Sequence, residues 1–333
     1  MQELNKIQII DGSFLLHRAL HKPDIFDLRN SKGYRTGGIF QFLRMLNTEI
    51  RNGGQYFPVV VFDMGLCSRR TTLDPNYKNA TERARQDAMV LTPEESDQDY
   101  VTQYRKQRNV LSILLPYFGI PAIKFPGYEG DDLMYLLTKM AKESVILTDD
   151  RDMLQLLAEN VSVRRPMADE FWTLDKFLSD TGYVDMYDFV VAKALMGDKS
   201  DNIPSSCKGV GEVKVKDMIK IVRQYHKDAD NYLTVNTDIL QKLCEKAGVK
   251  YHKNYQNWNI IRFTINLGLV DLSLVPMDQQ IIDSIKATIS NTEHQSSYFK
   301  VIQTLASLEI SDLDVDSIIR EVNLRKSYLW LED

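Results

Sequence analysis

The sequence predicts an α/β fold built on a central, mostly parallel sheet flanked by helices. Three short runs carry that prediction: Ile7-Gln8-Ile9-Ile10, Val59-Val60-Val61-Phe62 and Val145-Ile146-Leu147-Thr148. Each is rich in β-branched residues and almost continuously apolar, the pattern of a strand covered on both faces. Segments with helical periodicity lie between them, among them Ile39 to Ile50 and Leu133 to Ala141. Strands alternating with helices point to crossover connections and a parallel sheet. The chain has 333 residues, above the ~250–300 at which one hydrophobic core stops growing. A large core with a smaller lobe, or two domains, is expected.

Composition excludes several classes. Hydrophobic residues make up 44% and charged residues 26%, which rules out wholesale disorder. The longest uncharged stretch, Asn109 to Ile123, contains two prolines and falls short of the ~20 apolar residues a membrane span needs. Met1-Gln2-Glu3-Leu4-Asn5-Lys6 shows no basic region followed by an apolar stretch, so no signal peptide is expected. Cys67, Cys207 and Cys244 are far apart and fit neither a zinc site nor a disulfide framework. A reducing cytoplasm is the expected compartment.

The residues just past each strand carry the chemistry. The first run meets Asp11, the second Asp63, and the third Asp149-Asp150-Arg151-Asp152. In open α/β sheets ligands bind at the carboxyl ends of the strands. A single strand-end Asp is most often a helix N-cap. Three brought to one edge repel each other and raise each other's pKa unless cations neutralise them. Two more acidic groups join, Glu129-Gly130-Asp131-Asp132 at a helix start and Asp198 with Asp201 in Gly197-Asp198-Lys199-Ser200-Asp201-Asn202-Ile203-Pro204. With Asp198 as the first position of a twelve-residue loop the twelfth is Gly209, which excludes a helix–loop–helix calcium site. Oxygen ligands alone suit hard cations, Mg²⁺ with Mn²⁺ as a substitute. Two such ions about 3.5–4 Å apart are the usual apparatus for in-line attack on a phosphodiester. The candidate ligands are Asp11, Asp63, Glu129, Asp131, Asp132, Asp150, Asp152, Asp198 and Asp201. Without those nine negative charges the net charge of −5 becomes +4. An acidic site in a mildly basic shell fits a metal-dependent nuclease.

Five motifs in order resemble one family. They are Asp11-Gly12-Ser13-Phe14-Leu15-Leu16-His17-Arg18, the Arg70 to Tyr77-Lys78 segment, Glu129-Gly130-Asp131-Asp132-Leu133, the Asp150-Arg151-Asp152-Met153-Leu154-Gln155-Leu156 run, and Gly197 to Pro204. Together they resemble the 5′-nuclease domain of bacterial DNA polymerase I and the flap endonuclease and 5′→3′ exonuclease family. With no polymerase domain attached, the chain is similar to stand-alone phage 5′-nucleases, including those called phage RNase H. Arg262 to Asp271 is loosely similar to a downstream segment of such proteins.

The resemblance implies a PIN-like 5′-nuclease fold with a catalytic domain over 1–200 and a helical C-terminal domain over 201–333. It implies one metal on Asp11, Asp63, Glu129 and Asp131 with Asp132 adjacent. It implies a second on Asp150, Asp152 and Asp201, with Asp198 auxiliary. Asp149 is expected to be a non-ligand. Gly130 stands where the family usually has alanine.

Residues 64–110 are implied to form a helical arch beside which a 5′ single strand passes, Lys78 and Arg70 acting at the scissile phosphate. Tyr77, Arg83 and Arg85 are expected DNA contacts, since basic groups track phosphates and aromatics stack on bases. Thr92-Pro93-Glu94-Glu95 reads as an N-cap and helix start within this region. Lys208, Gly209, Gly211, Lys214 and Lys216 form a Gly-x-Gly turn opening a basic helix, whose N–H groups can hold phosphate. It matches the family's helix–hairpin–helix, expected at about 203–225, which grips duplex DNA. Beyond residue 225, a loop and N-cap before a helix Ile318 to Leu324 is expected, with the tail Tyr328-Leu329-Trp330-Leu331 packed on the body.

The implied function is a structure-specific 5′ nuclease acting on DNA with 5′ flaps or ends, or on RNA/DNA hybrids, in replication. Products would carry a 5′-phosphate and a 3′-hydroxyl. Single-strand-binding protein or a sliding clamp are implied partners, in a bacterial host cytoplasm for a phage-encoded chain. The alternative is a non-catalytic junction-binding protein of the same fold. A PIN-like single-strand ribonuclease should lack the Gly209-Val210-Gly211 turn, and an Asp-nucleophile phosphatase would need one privileged Asp.

Overall fold

The computed structural model describes residues 3–80, 97–227 and 236–331. It forms two compact units. The first comprises residues 1–65, 90–174 and 275–333, and the second 66–89 and 175–274.

The first unit holds a six-stranded sheet of order β3-β2-β1-β4-β5-β6. The strands are β1 Leu4–Asp11, β2 Phe57–Val61, β3 Ala122–Ile123, β4 Ala141–Leu147, β5 Val161–Arg165 and β6 Glu170–Trp172. All pairings are parallel except the β5–β6 hairpin. The three apolar runs read from sequence are therefore the central strands β2, β1 and β4. Every residue of β2 is buried, as a strand covered on both faces requires. Proline is rare inside a sheet, yet β2 contains Pro58. The amides of Val60 and Phe62 point toward β3, donating to Pro121 and Ile123. Position 58 faces the same side, where the two-residue β3 has not begun, so no ladder bond is lost.

Helices α1 (Gly12–Leu20) and α2 (Gly37–Asn52) follow β1 and pack on each other. Gly12 is required where α1 starts against the end of β2. A Cβ there would meet Val60 Cγ1 at 2.6 Å and the Phe62 ring at 2.7 Å.

In chain order, α3 spans Ser68–Leu73, α4 Tyr100–Tyr117, α5 Gly130–Met140, α6 Met186–Met196, α7 Glu212–Lys227, α8 Thr237–Lys246, α9 Ile260–Val270, α10 Gln279–Gln295, α11 Tyr298–Ser307 and α12 Val315–Arg325. Asp99 caps α4, accepting the Thr102 amide at 2.6 Å. Asp314 caps α12 in the same way, as the sequence suggests.

The division differs from the boundary expected at residue 200. Helices α10 and α11 pack on α4, and α12 packs on α2 and β2, so residues 275–331 belong with the sheet. Their buried stripe of Ile285, Ile289, Val301, Leu305, Ile318 and Val322 completes that core. The tail then returns to the start of β1. Asn5 donates to the Leu329 carbonyl and Leu331 to the Glu3 carbonyl, at 2.8 and 3.0 Å.

The second unit has its own core, including Tyr77, Leu195, Val215, Met218, Tyr255 and Phe263. Its helices α6 and α7 are joined by residues 197–211. No helix among the described residues is long and apolar enough to cross a membrane. Arg83, Arg85 and the helix start at Thr92-Pro93 lie outside the described residues.

Candidate active site

In the first unit, β1 lies between β2 and β4, and all three run parallel. Their carboxyl ends therefore converge, and the strand order reverses at this point, where α/β sheets place ligands. Asp11 ends β1, Asp63 comes after β2, and Asp150 after β4.

Each carboxylate is tied locally. Asp11 caps α1, one oxygen accepting the Phe14 amide at 2.8 Å. Its other oxygen accepts the Thr148 hydroxyl at 2.8 Å. Thr148 is fully buried and its hydroxyl also accepts the Asp150 amide at 3.1 Å, joining two of the strand ends. Asp150 in turn accepts the Asp152 amide at 2.8 Å. The N-cap reading and the candidate-ligand reading thus apply to the same side chains. Asp63 is different. Its carboxylate accepts the Gly130 amide at 2.7 Å, reaching the N-terminus of α5. Glu129 and Asp132 form a reciprocal capping box at that terminus and are both buried, while Asp131 is half-buried.

Burial, then the charges of Asp63 and Asp150, push the Asp11 carboxyl up to about 7. Charge therefore accumulates at this edge, and the donors are hard oxygens suited to divalent cations. Among the described residues no three Asp, Glu, His or Cys side chains close into one ready metal cage. The carboxylates at this edge accept N–H and O–H donors.

Asp149 has another task. Its carboxylate accepts the amides of Met167 and Ala168 at 2.8 and 3.3 Å, capping the turn between β5 and β6. Asp149→Ala is expected to lower stability by about 1 kcal/mol in urea unfolding and to leave cleavage within about twofold.

The second unit places Asp198 and Asp201 on the loop after α6. Gly197 opens that loop at φ +76°, where a Cβ would lie 2.4 Å from the Ile203 carbonyl oxygen. Burial opposes the charge on Asp198, but the Ser200 hydroxyl, Lys193 and the amides of Ser200 and Asp201 outweigh it and hold the carboxyl below its ordinary value. The Lys78 amide donates to the Asp201 carbonyl at 2.8 Å, and its ammonium lies 3.9 Å from the Asp201 carboxylate. Lys78 and Asn79 are both left-handed, at φ 48° and 53°. Two such residues in succession store strain, which collects at functional sites.

Two expectations change here. Tyr77 is expected on a DNA-facing surface but is 2% exposed, its ring in the core of the second unit and its hydroxyl 3.4 Å from Asp201. Arg70 is likewise 2% exposed, with Nε donating to the Leu269 carbonyl at 2.8 Å. Tyr77 anchors the Lys78 segment from within, and Arg70, which lies 5.9 Å from the centre of the Tyr77 ring, ties α3 to α9. An aromatic or arginine beside a lysine looks the same in sequence whether it faces in or out.

Lys208, Gly209 and Gly211 are exposed at the turn before α7. Gly209 sits at φ +81°, and open space surrounds Gly211. Lys214 lies 3.0 Å from His252, and Lys216 donates to the Thr181 carbonyl at 2.6 Å. Asn254 and Asn257, which the sequence does not single out, hold this turn by donating to the carbonyls of Gly209 and Lys208 at 2.8 and 3.0 Å. Ser13 and Thr148 are the corresponding unforeseen supports in the first unit. Each sits beside a recognised Asp, which is the signal that could have found them.

The N-terminal resolvase-like domain of 5′-3′ exonucleases matches residues 6–182. A 5′-3′ exonuclease of Aquifex aeolicus is 29% identical over 331 residues, covering 98% of this chain and all of that protein. One from Bacillus subtilis is 31% identical, covering 72% of this chain and 76% of its own length. DNA polymerase I of Lactococcus lactis subsp. cremoris is 30% identical over 251 residues, and the match spans 26% of that longer protein. Among solved structures, the bacteriophage T5 5′-exonuclease with bound zinc ions superposes with a TM-score of 0.58 at 20% identity. That match covers 86% of this chain and 99% of the phage protein, and supports the expected fold.

Proposed function

The chain belongs to the 5′-3′ exonuclease family and is a nuclease that hydrolyses phosphodiester bonds; from that premise we propose that it is a divalent-metal-dependent 5′→3′ exonuclease and flap endonuclease. The observation that carries the metal reading is the carboxyl edge of β1, β2 and β4. There burial and neighbouring negative charge push Asp11 up to about 7, a situation a bound cation relieves.

Asp11, Asp63, Glu129, Asp131 and Asp132 would hold one ion. Asp150 and Asp152 would hold a second, Mg²⁺ being the proposed ion and Mn²⁺ its substitute; Asp201 and, as auxiliary, Asp198 are the proposed metal ligands of the second unit. Bound there, the ions supply Lewis-acid activation of the water nucleophile and neutralise charge on the phosphate. The chain itself does the rest. Thr148 and the amides of Phe14 and Gly130 orient the carboxylates. The strained backbone at Lys78 presents an ammonium for the scissile phosphate. Tyr77 holds that segment in place, and Arg70 ties α3 to α9.

Lys208, Gly209, Gly211, Lys214 and Lys216, with Arg83 and Arg85, are proposed contacts to the DNA backbone. Such binding is phosphate-dominated and weakens with salt. The turn before α7 would serve as the helix–hairpin–helix. RNA/DNA hybrids as substrates, a 5′-phosphate product, a cytoplasmic setting and contact with single-strand-binding protein or a sliding clamp extend the same reading. A non-catalytic junction-binding role finds no support among these relatives.

The test uses a 5′-labelled DNA flap annealed to its template. Mg²⁺ or Mn²⁺ should release the flap near the junction, and chelator should abolish release while leaving DNA binding measurable. Tight binding without cleavage in either metal would refute the proposal.

A further inference from the structure

Asp11 and Asp150 are each fixed by the helical turn they cap. Asp63 caps no turn of its own; one carboxylate oxygen accepts the Gly130 amide at 2.7 Å, and its main chain sets the direction of approach. Asp63 sits two residues past β2 in an irregular stretch, with Gly65 at φ +98° shortly after it. Its main chain is nevertheless held on both sides. The Asp63 amide donates to the Ser13 hydroxyl at 2.9 Å, and the Tyr104 hydroxyl donates to that same oxygen at 2.9 Å. The Asp63 carbonyl accepts from Arg108 Nη1 at 2.7 Å.

Tyr104 and Arg108 are one turn apart on α4, so both reach the same face. The Tyr104 ring is itself locked, stacked on His17 at 4.2 Å and 6°. The Arg108 guanidinium lies 5.9 Å from the centre of the Tyr104 ring, and its Nη2 donates to Asn109 at 3.2 Å. A side-chain hydroxyl whose partners are fixed cannot follow a turning peptide, and neither can a guanidinium anchored at both ends.

We propose that Tyr104 and Arg108 are positioning residues that set the orientation of the Asp63 peptide, and through it the direction of the Asp63 carboxylate. Neither residue touches the reacting atoms. They do for Asp63 what helix caps do for Asp11 and Asp150. The inference rests on the reading of Asp63 as a metal ligand. Residues that orient a ligand without binding the ion are worth roughly 10–100-fold in metal affinity.

The test is Mn²⁺ binding to the full chain without DNA, read by electron paramagnetic resonance of the free ion. Asp63→Asn is expected to weaken binding more than any other variant. Tyr104→Phe and Arg108→Gln should each weaken it about tenfold, with Arg108→Lys retaining most of the affinity. The metal concentration giving half-maximal flap cleavage should rise by the same factor, while the rate at saturating metal stays within about twofold. Adding Tyr104→Phe to Asp63→Asn should produce no further loss. If Asp63→Asn weakens binding and neither α4 variant does, the positioning role is overturned and the ligand reading stands. If Asp63→Asn leaves binding unchanged, the ligand reading falls and this proposal with it. An equal loss from Tyr104→Phe in the wild-type and Asp63→Asn backgrounds would mark a general structural effect and overturn the proposal.

Discussion

Asp11→Asn is expected to abolish metal-dependent cleavage, lowering the rate by at least about a hundredfold, and at the same time to stabilise the metal-free protein. The two effects share one cause. Asp11 stands where β1 ends between β2 and β4, enclosed and within reach of the charges on Asp63 and Asp150. Its charge is unfavourable to the fold without a cation and needed with one. An amide keeps the hydrogen bond to the Phe14 amide, so the start of α1 should survive. Removing the charge relieves desolvation and repulsion together, a gain of about 1–3 kcal/mol in chelator at pH 8. Urea unfolding with and without Mn²⁺ measures it. The variant should be the more stable protein in chelator and gain less than wild type when metal is added. A variant that loses cleavage but also loses stability in chelator would show that Asp11 acts mainly as a cap.

Gly197→Ala is the second large effect. Gly197 has φ +76° and ψ −178°, a region essentially reserved for glycine. A Cβ would lie 2.4 Å from the Ile203 carbonyl oxygen and 2.7 Å from Pro204 C and Ser205 N. These are backbone atoms, which cannot rotate away. Strain and overlap together should cost about 3 kcal/mol or more in stability. They should also displace Asp198 and Asp201, so cleavage should fall even where the protein remains folded. Gly211→Ala is the control for stability, because nothing lies within 4 Å of its added methyl. It should unfold within about 0.5 kcal/mol of wild type. Equal stability of the two variants would mean that the loop after α6 can rearrange freely.

The strands and their terminal aspartates were legible because both signals are local. A buried parallel strand must be apolar throughout, and the residue after it must sit at the carboxyl edge. The α/β class and the acidic edge of the first unit come from those facts alone. The role of residues 275–331 was not legible. The amphipathic stripes of α10, α11 and α12 state that they pack on something, not that the partners are α2, α4 and β2. Tyr77 reads as outward-facing because aromatics stack on bases, and Arg70 because the family resemblance puts it at the scissile phosphate. Only three-dimensional packing puts the ring in a core and the guanidinium on the Leu269 carbonyl. Asn254 and Asn257 lie more than forty residues from the turn they support. Such pairings leave no periodicity to read.

The return of the tail to β1 has a practical consequence. Residues 3–5 and 329–331 are hydrogen-bonded neighbours at the amino end of the central strand. Leu4 and Asp11 are the two ends of the eight-residue β1, about 23 Å apart at the rise of a strand. A short peptide joining residue 331 to residue 3 would therefore span a small gap, the connection that circular permutation requires. A fluorophore or surface tether attached there would sit at the opposite edge of the sheet from the carboxylates. Single-molecule immobilisation through this corner should leave catalysis undisturbed.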